Sequence, residues 1–379
     1  MRGCPFMNRS MISSRIEDTP AMRKVSSTIG VMIVTGCARL ISGSRNLLEC
    51  ILTKCAQYTI IIHTVQSSMF NSTHTFVGLA IARTGFDGWV PRAAVTAVLA
   101  SNFPDIDIVT ALSSTRTYLE YHRGITHTFV GIPVLALAFT AVMSIFSGNF
   151  WKTYLVALIS MATHPLLDYT NTYGLRPFLP WNPTWYYGDL LPIIDPYLDF
   201  LLLAGVLAGE VFNKNKRSIT CISLGVVILY IGGRLELRGL ATSQVQTLAA
   251  RTPGTEKWGV APRILNPLVW QGFVQSKQQV VKVSIDPLDH LMTETAHMER
   301  SASPQIPKQA LDSQSARVLL AFARFPVIRA QRTDFGYRVL LYDFRFYNET
   351  TNTALGSEIL LDMSFHTLKE TLSFQKKIE

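Results

Sequence analysis

Four of the eight histidines, His74, His122, His127 and His164, fall in the most apolar part of the chain, each inside a short polar run. His122-Arg123-Gly124-Ile125-Thr126-His127 leads straight into a long apolar segment, and His164-Pro165-Leu166-Leu167-Asp168 closes the next one. His164 and Asp168 are four apart and share a helix face; a helix that starts near Pro165 keeps that relation. Upstream, Asn102-Phe103-Pro104-Asp105-Ile106-Asp107 sets two carboxylates beside a proline that ends or kinks its helix. Imidazole and carboxylate together suit a divalent ion such as Zn, Mn or Fe, with Zn the first choice. A catalytic ion wants about three protein ligands and an open water position. His122, His127 and His164 with one of Asp105, Asp107 or Asp168 supply that set, and His74 is a further ligand. A carboxylate left over orients a ligand imidazole or acts as general base, and the ion would bring the pKa of its water down to about 7. Arg123 suits an anionic substrate group. Asp189 is a catalytic candidate that could equally structure its loop, and Asp195, before Pro196, reads as a helix cap.

The competing reading is ordinary. One histidine at the end of a membrane span is usually interfacial, and an aspartate after proline usually caps a helix. Ionisable groups in or beside spans are costly, however, and point to function by default; four histidines and three aspartates converging on one end of the spans favour a metal site. A second patch follows, Asn171-Thr172-Tyr173-Gly174 and then Trp185-Tyr186-Tyr187-Gly188-Asp189. Its aromatics fit either a membrane-interface belt or a rim that holds substrate.

Taken together, Thr73-His74, Pro104-Asp105-Ile106-Asp107, the HRGITH run, HPLLD and the Asn171 and Trp185 segments resemble the predicted membrane-bound, metal-dependent hydrolases of bacterial inner membranes. The resemblance covers about Met69 to Arg234, with a looser likeness at Asn266–Trp270 and Asp343–Phe346. It implies a multi-pass inner-membrane protein, metal-dependent and hydrolytic.

The elements that position these residues are apolar helices. A span needs about 20 mostly apolar residues. Thr128–Phe146 meets this, Tyr154–Leu167, Tyr197–Phe212 and Ile219–Gly233 approach it, and Phe76–Ala82 with Ala93–Phe103 reads as a short helical pair that spans or re-enters. With Lys214, Lys216 and Arg217 inside, alternation puts six basic residues on the inner side and three on the outer. The histidine and aspartate motifs then all emerge on the outer face, as does the C-terminal domain.

Charged residues make up only 16% of the chain and hydrophobic ones 48%, which argues against a disordered chain and an ordinary cytosolic enzyme. The net charge of +9 comes without a basic cluster interleaved with aromatics, so nucleic acid is not an expected partner. Residues 1–68 hold Cys4, Cys37, Cys50 and Cys55 without metal or disulfide spacing. They read as a non-native extension or disordered leader, with Met69 as the working start. The fold class expected is an α-helical integral membrane domain over 69–234, followed by a smaller, mostly β extracytoplasmic domain over 240–379. Within that domain Val280–Ile285, Arg317–Phe325, Tyr337–Tyr347 and Glu358–Phe365 carry strand-forming residues. The partners expected are the bilayer and a small-molecule or lipid-linked substrate. The leading function is hydrolysis of a lipid-linked or envelope ester or phosphoester by a metal-activated water. The alternative is a non-enzymatic metal-binding membrane protein or carrier.

Overall fold

The computed structural model describes residues 72–300 and 307–376, so the expected leader over 1–68 lies outside the described residues. The first half is helical: α1 (Ser72–Arg83), α2 (Ala93–Asn102), α3 (Thr115–Tyr121), α4 (Gly131–Ser147), α5 (Phe150–Tyr169), α6 (Pro196–Val211) and α7 (Lys216–Arg251). A ten-residue 3-10 stretch, Phe103–Leu112, continues α2, and a short 3-10 turn, Ile125–His127, precedes α4.

Local chemistry sets the ends. Gly148 takes a left-handed conformation (φ 73°) after α4, and the Asn149 side chain accepts a 3.0 Å bond from the Lys152 amide to start α5. The two helices therefore turn back on each other within two residues. Asp195 caps α6 through the amides of Tyr197 and Leu198, both at 3.1 Å, with Pro196 in the first turn. Small residues let the helices approach closely. A Cβ on Gly78 of α1 would stand 2.4 Å from the Ser101 hydroxyl and 2.7 Å from the Ala97 carbonyl on α2. Ala97, Ala100, Val156, Ala157 and Met161 complete the packing of α2 with α5.

Among the described residues, Ala93–Leu112 and Asn213–Arg251 are each long and apolar enough to cross a membrane. Thr115–His127 and Gly131–Ser147 qualify only as a pair, bent by 80°. The segment expected as the best span is thus a 17-residue helix behind a bend. The expected spans at Tyr154–Leu167 and Tyr197–Phe212 form α5 and α6, of 20 and 16 residues, and do not meet the same criterion alone.

The second half is mostly β. Strands β1 (Thr255–Pro262), β2 (Trp270–Ser276), β3 (Gln279–Asp286) and β4 (Leu291–Glu299) form one antiparallel sheet in chain order. Strands β5 (Pro326–Thr333), β6 (Gly336–Asp343), β7 (Thr353–Asp362) and β8 (Thr367–Lys376) form another. Side chains alternate across each sheet. Phe273 and Val280 of the first sheet meet Val327, Leu340 and Tyr342 of the second in a shared core. The other faces are covered too. Val274, Val283 and Ile285 pack on Ala241, Val245 and Ala249 at the far end of α7. Val339, Leu341 and Ile359 pack on Leu119 of α3 and on Ala316, Leu319 and Phe322 of a short helix.

That short helix corrects one expectation. Arg317–Phe325, with its strand-forming composition, is largely helix α9 (Gln314–Phe322), which follows the four-residue α8 (Lys308–Leu311). Ser313 accepts from the Ala316 amide as an N-cap, and Ala316, Leu319 and Phe322 recur every three residues on the buried face. The boundary near 240 also falls inside an element, because α7 runs unbroken to Arg251.

Candidate metal centre

His127 enters at the end of the 3-10 turn before α4, Asp105 in the 3-10 stretch after α2, and His164 and Asp168 four residues apart on α5. All four are buried. Nε2 of His127 lies 3.4 Å from Oδ1 of Asp105 and 3.3 Å from Oδ2 of Asp168; Nε2 of His164 lies 3.3 Å from each of the same two oxygens. None of these four atoms has a hydrogen-bonding partner.

The far sides of the rings fix which nitrogen carries the proton. His164 Nδ1 is 2.6 Å from the Ser101 carbonyl, which can only accept. His127 Nδ1 is 2.9 Å from the Thr126 hydroxyl, and that hydroxyl donates to Asp107 at 2.6 Å, so it must accept from the ring. Both Nε2 atoms therefore present lone pairs to two carboxylate oxygens. Such a group needs a cation. Protonated imidazoles would close on the carboxylates to about 2.7–2.9 Å. The observed gaps of 3.3–3.4 Å between each imidazole and each carboxylate match the spacing of N and O ligands that share one ion at about 2.0–2.1 Å, roughly 3.3–3.4 Å. The residues present thus fit a divalent ion, and these four could hold it.

The remaining expected residues surround the four. Asp107 stands behind them: it bonds His122 Nδ1 at 2.8 Å, the Arg123 amide at 3.1 Å and Thr126. His122 stacks on Tyr118. Asp105, Asp107 and His122 form a second set with metal-ligand spacing, in which Asp107 already takes three hydrogen bonds. His74 stacks on His164 with centroids 3.8 Å apart, and its Nε2 is 3.7 Å from Asp168. It lines a chamber of about 40 Å³ with Thr73, Asp168 and Asn171, room for at least one water. Arg123 differs from its expected role. Its guanidinium is buried and committed to Asp168 Oδ1 at 2.7 Å, Asn171 at 3.1 Å and the Gly174 carbonyl at 3.2 Å. Asp189 is not brought to the four residues. It receives both its bonds from Arg324, at 2.7 and 2.8 Å, and burial pushes its carboxyl above the ordinary value against the pull of that arginine.

Two further arginines buttress the centre: Arg324, which sequence reasoning did not single out, and Arg345, which it met only within the Asp343–Phe346 run. Arg345 donates to Asp343 at 2.6 Å, to the Thr172 carbonyl at 2.6 Å and to the Phe322 carbonyl at 3.0 Å. Burial acts to lower its pKa, and the Asp343 carboxylate outweighs that and raises it. Arg324 stacks on Tyr187. The two arginines bind the loop between α5 and α6 to the sheets, directly behind Asn171 and Arg123. The signal available was the DFRF run containing Arg345; nothing local marks Arg324.

Residues 69–240 match the model of a family described as YdjM inner membrane protein. Every residue of the four, and every one surrounding them as far as Asn171 and Asp189, lies inside the YdjM segment; Arg324 and Arg345 lie outside it. An uncharacterized Bacillus subtilis protein, YfhP, is 26% identical over 171 residues, 42% of this chain and 52% of the relative. The chain thus matches about half the length of that relative. No solved structure matches the chain.

Proposed function

We propose that the chain is a multi-pass inner-membrane hydrolase, metal-dependent, acting on a lipid-linked or envelope ester or phosphoester. The observation that carries this reading is the set of four unpartnered buried atoms at metal-ligand spacing, inside the segment that matches an inner-membrane family. A divalent ion held by Asp105, His127, His164 and Asp168, most simply Zn, would supply a Lewis acid and acidify water at neutral pH. The protein's own residues do the rest. Thr126 and the Ser101 carbonyl hold the two imidazoles in the tautomer that leaves Nε2 free. Arg123 fixes Asp168 so that only one of its oxygens faces the centre. His74 lines the small polar chamber and has an unpartnered Nδ1; it takes the proton of the attacking water. Asp107 positions His127 and His122 instead of acting as base. The centre faces outward, and the β sheets lie on the extracytoplasmic side.

A second reading, a metal-binding membrane protein without turnover, is favoured by one observation: four protein ligands already supply the full ligand count of a structural site. Elemental analysis of the purified protein, followed by a screen on phospholipids and lipid-linked phosphates, separates the two. About one equivalent of metal, lost in the His127→Ala, His164→Ala double variant, with turnover that His74→Ala abolishes, supports the hydrolase. Metal with no turnover on any ester supports the second reading. Metal content unchanged in the double variant overturns both. A reporter fused to the C-terminus and active only in the cytoplasm overturns the orientation.

A further inference from the structure

A second cavity borders the centre besides the chamber at His74. From His127 a cavity of about 640 Å³ runs between α4 and α5. Its walls are Ile132, Leu158, Ala162, Leu166, Leu175 and Phe178, and the Thr128 hydroxyl beside them is already engaged with the Ile125 carbonyl and the Gly131 amide. The volume lies in the range of ligand sites, about 300–1,000 Å³. Its mouth, at Phe129, Leu166 and Phe178, is exposed and continues into the exposed apolar surface of α4 at Val134, Val142 and Ile145. The lip is built, not a chance gap between helices. The Phe129 amide donates to the Pro177 carbonyl at 3.2 Å, and Leu175 and Tyr186 exchange backbone bonds at 3.0 and 2.9 Å. Phe178 packs between Phe129 and Tyr186, with centroids 5.3 and 5.2 Å away.

We infer that this groove holds one hydrocarbon tail of a membrane lipid, acyl or prenyl, whose polar ester or phosphoester head reaches the centre at His127. The fate of the head rests on the hydrolase reading above; the place of the tail does not. Asp168 borders the chamber at His74 and His127 borders the groove, so water from the one and lipid from the other would reach the centre from separate sides. Lipid tails are as apolar as the groove, so moving one out of the bilayer gains nothing by hydrophobic transfer. Occupancy above that of bulk lipid therefore has to come from the head's attachment at the centre. That dependence separates a substrate site from a crevice filled by any neighbouring chain.

The test is photolabelling of the full chain in nanodiscs, read by mass spectrometry, with a diazirine-tailed phosphatidate and a headless diazirine-tailed alkane. In metal-loaded protein the phosphatidate should label 128–133 and 158–166 at least about tenfold more than the alkane, the mark of about 1.4 kcal/mol of preference. Ala162→Trp, and independently Leu158→Trp, should fill the groove and remove that excess while bound metal stays at the wild-type level. The His127→Ala, His164→Ala variant should label equally with both probes. Equal labelling by both probes in metal-loaded protein, or an excess that survives both tryptophan variants, overturns the tail site. Groove labelling without cleavage of any ester leaves the tail site standing and removes the hydrolase reading. Turnover without selective labelling does the reverse.

Discussion

Thr126 illustrates how much of a metal centre lies behind its ligands. One hydroxyl accepts from His127 Nδ1 and donates to Asp107, so it transmits the carboxylate's preference to the ring. Thr126→Ala removes no ligand, yet the His127 ring loses its acceptor. Metal affinity should fall by about 10- to 100-fold, as measured by competition with a chelator of known strength; Thr126→Ser should restore it. An unchanged affinity in the alanine variant would mean that helix packing alone orients the ring. That His164 and Asp168 share a face was legible from spacing, because a fixed helical repeat puts residues four apart on one side. Asp105 and Asp107 could not be assigned separate roles in that way. They lie in a 3-10 stretch of about three residues per turn, so positions two apart diverge, one toward His127 and His164 and the other toward His122. The partners of Arg123 and Asp189 have no local signal in the sequence, because Asp168 with Asn171 and Arg324 are 45 or more positions away.

The helices tolerate little change where they hold this centre. Gly78 sits against Ser101, and the Ser101 carbonyl is the acceptor that fixes His164. A methyl group at Gly78 would stand far inside contact distance of the Ser101 hydroxyl and the Ala97 carbonyl, so α1 and α2 must part. Gly78→Ala should therefore weaken metal binding as well as lower the unfolding midpoint, although residue 78 touches no ligand. Isothermal titration of the apo protein with Zn reads the first effect and a thermal melt the second; loss of stability with unchanged affinity would separate His164 from the helix pair. Helix existence was readable from apolar runs at this scale. Bends were not: no residue pattern marks the 80° turn between Thr115–His127 and α4. The α9 helix was hidden because Val, Leu and Phe suit strands as well as helices, and only the Ser313 cap and the three-residue recurrence distinguish it.

Across the whole molecule, the sheets and the centre are mechanically joined through the loop between α5 and α6. Arg345 reaches from the second sheet to the Thr172 carbonyl, next to the Asn171 that steadies Arg123. Arg345→Met would strand the buried Asp343 carboxylate, a loss of about 3–5 kcal/mol by analogy with broken buried pairs. The melting temperature should fall by several degrees, and limited proteolysis should cut first within 172–188. Protection of that loop in the variant would show that Arg324 and Tyr187 suffice to dock it. None of this coupling was legible beforehand, since the two arginines and their partners belong to opposite halves of the chain.

Helix α7 has 36 residues, about 54 Å at 1.5 Å per residue, against a hydrocarbon layer of about 30 Å. Near its middle Tyr230 bonds Asp195, and its far end carries Ala241, Val245 and Ala249, which cover the first sheet. Between them Arg234 lies over Trp270 and donates to the Leu190 carbonyl at 3.1 Å. One rod is therefore both long and apolar enough to cross a membrane and the cover over the outer face of the first sheet. The chain has a visible change of composition near residue 240 but no seam there along which it can be cut. A fragment beginning at 252 would leave Trp270, Val274 and Ile285 bare, and a fragment ending at 240 would leave the membrane half without its cover over Leu119. Any transplant of either half into another protein has to carry α7 whole.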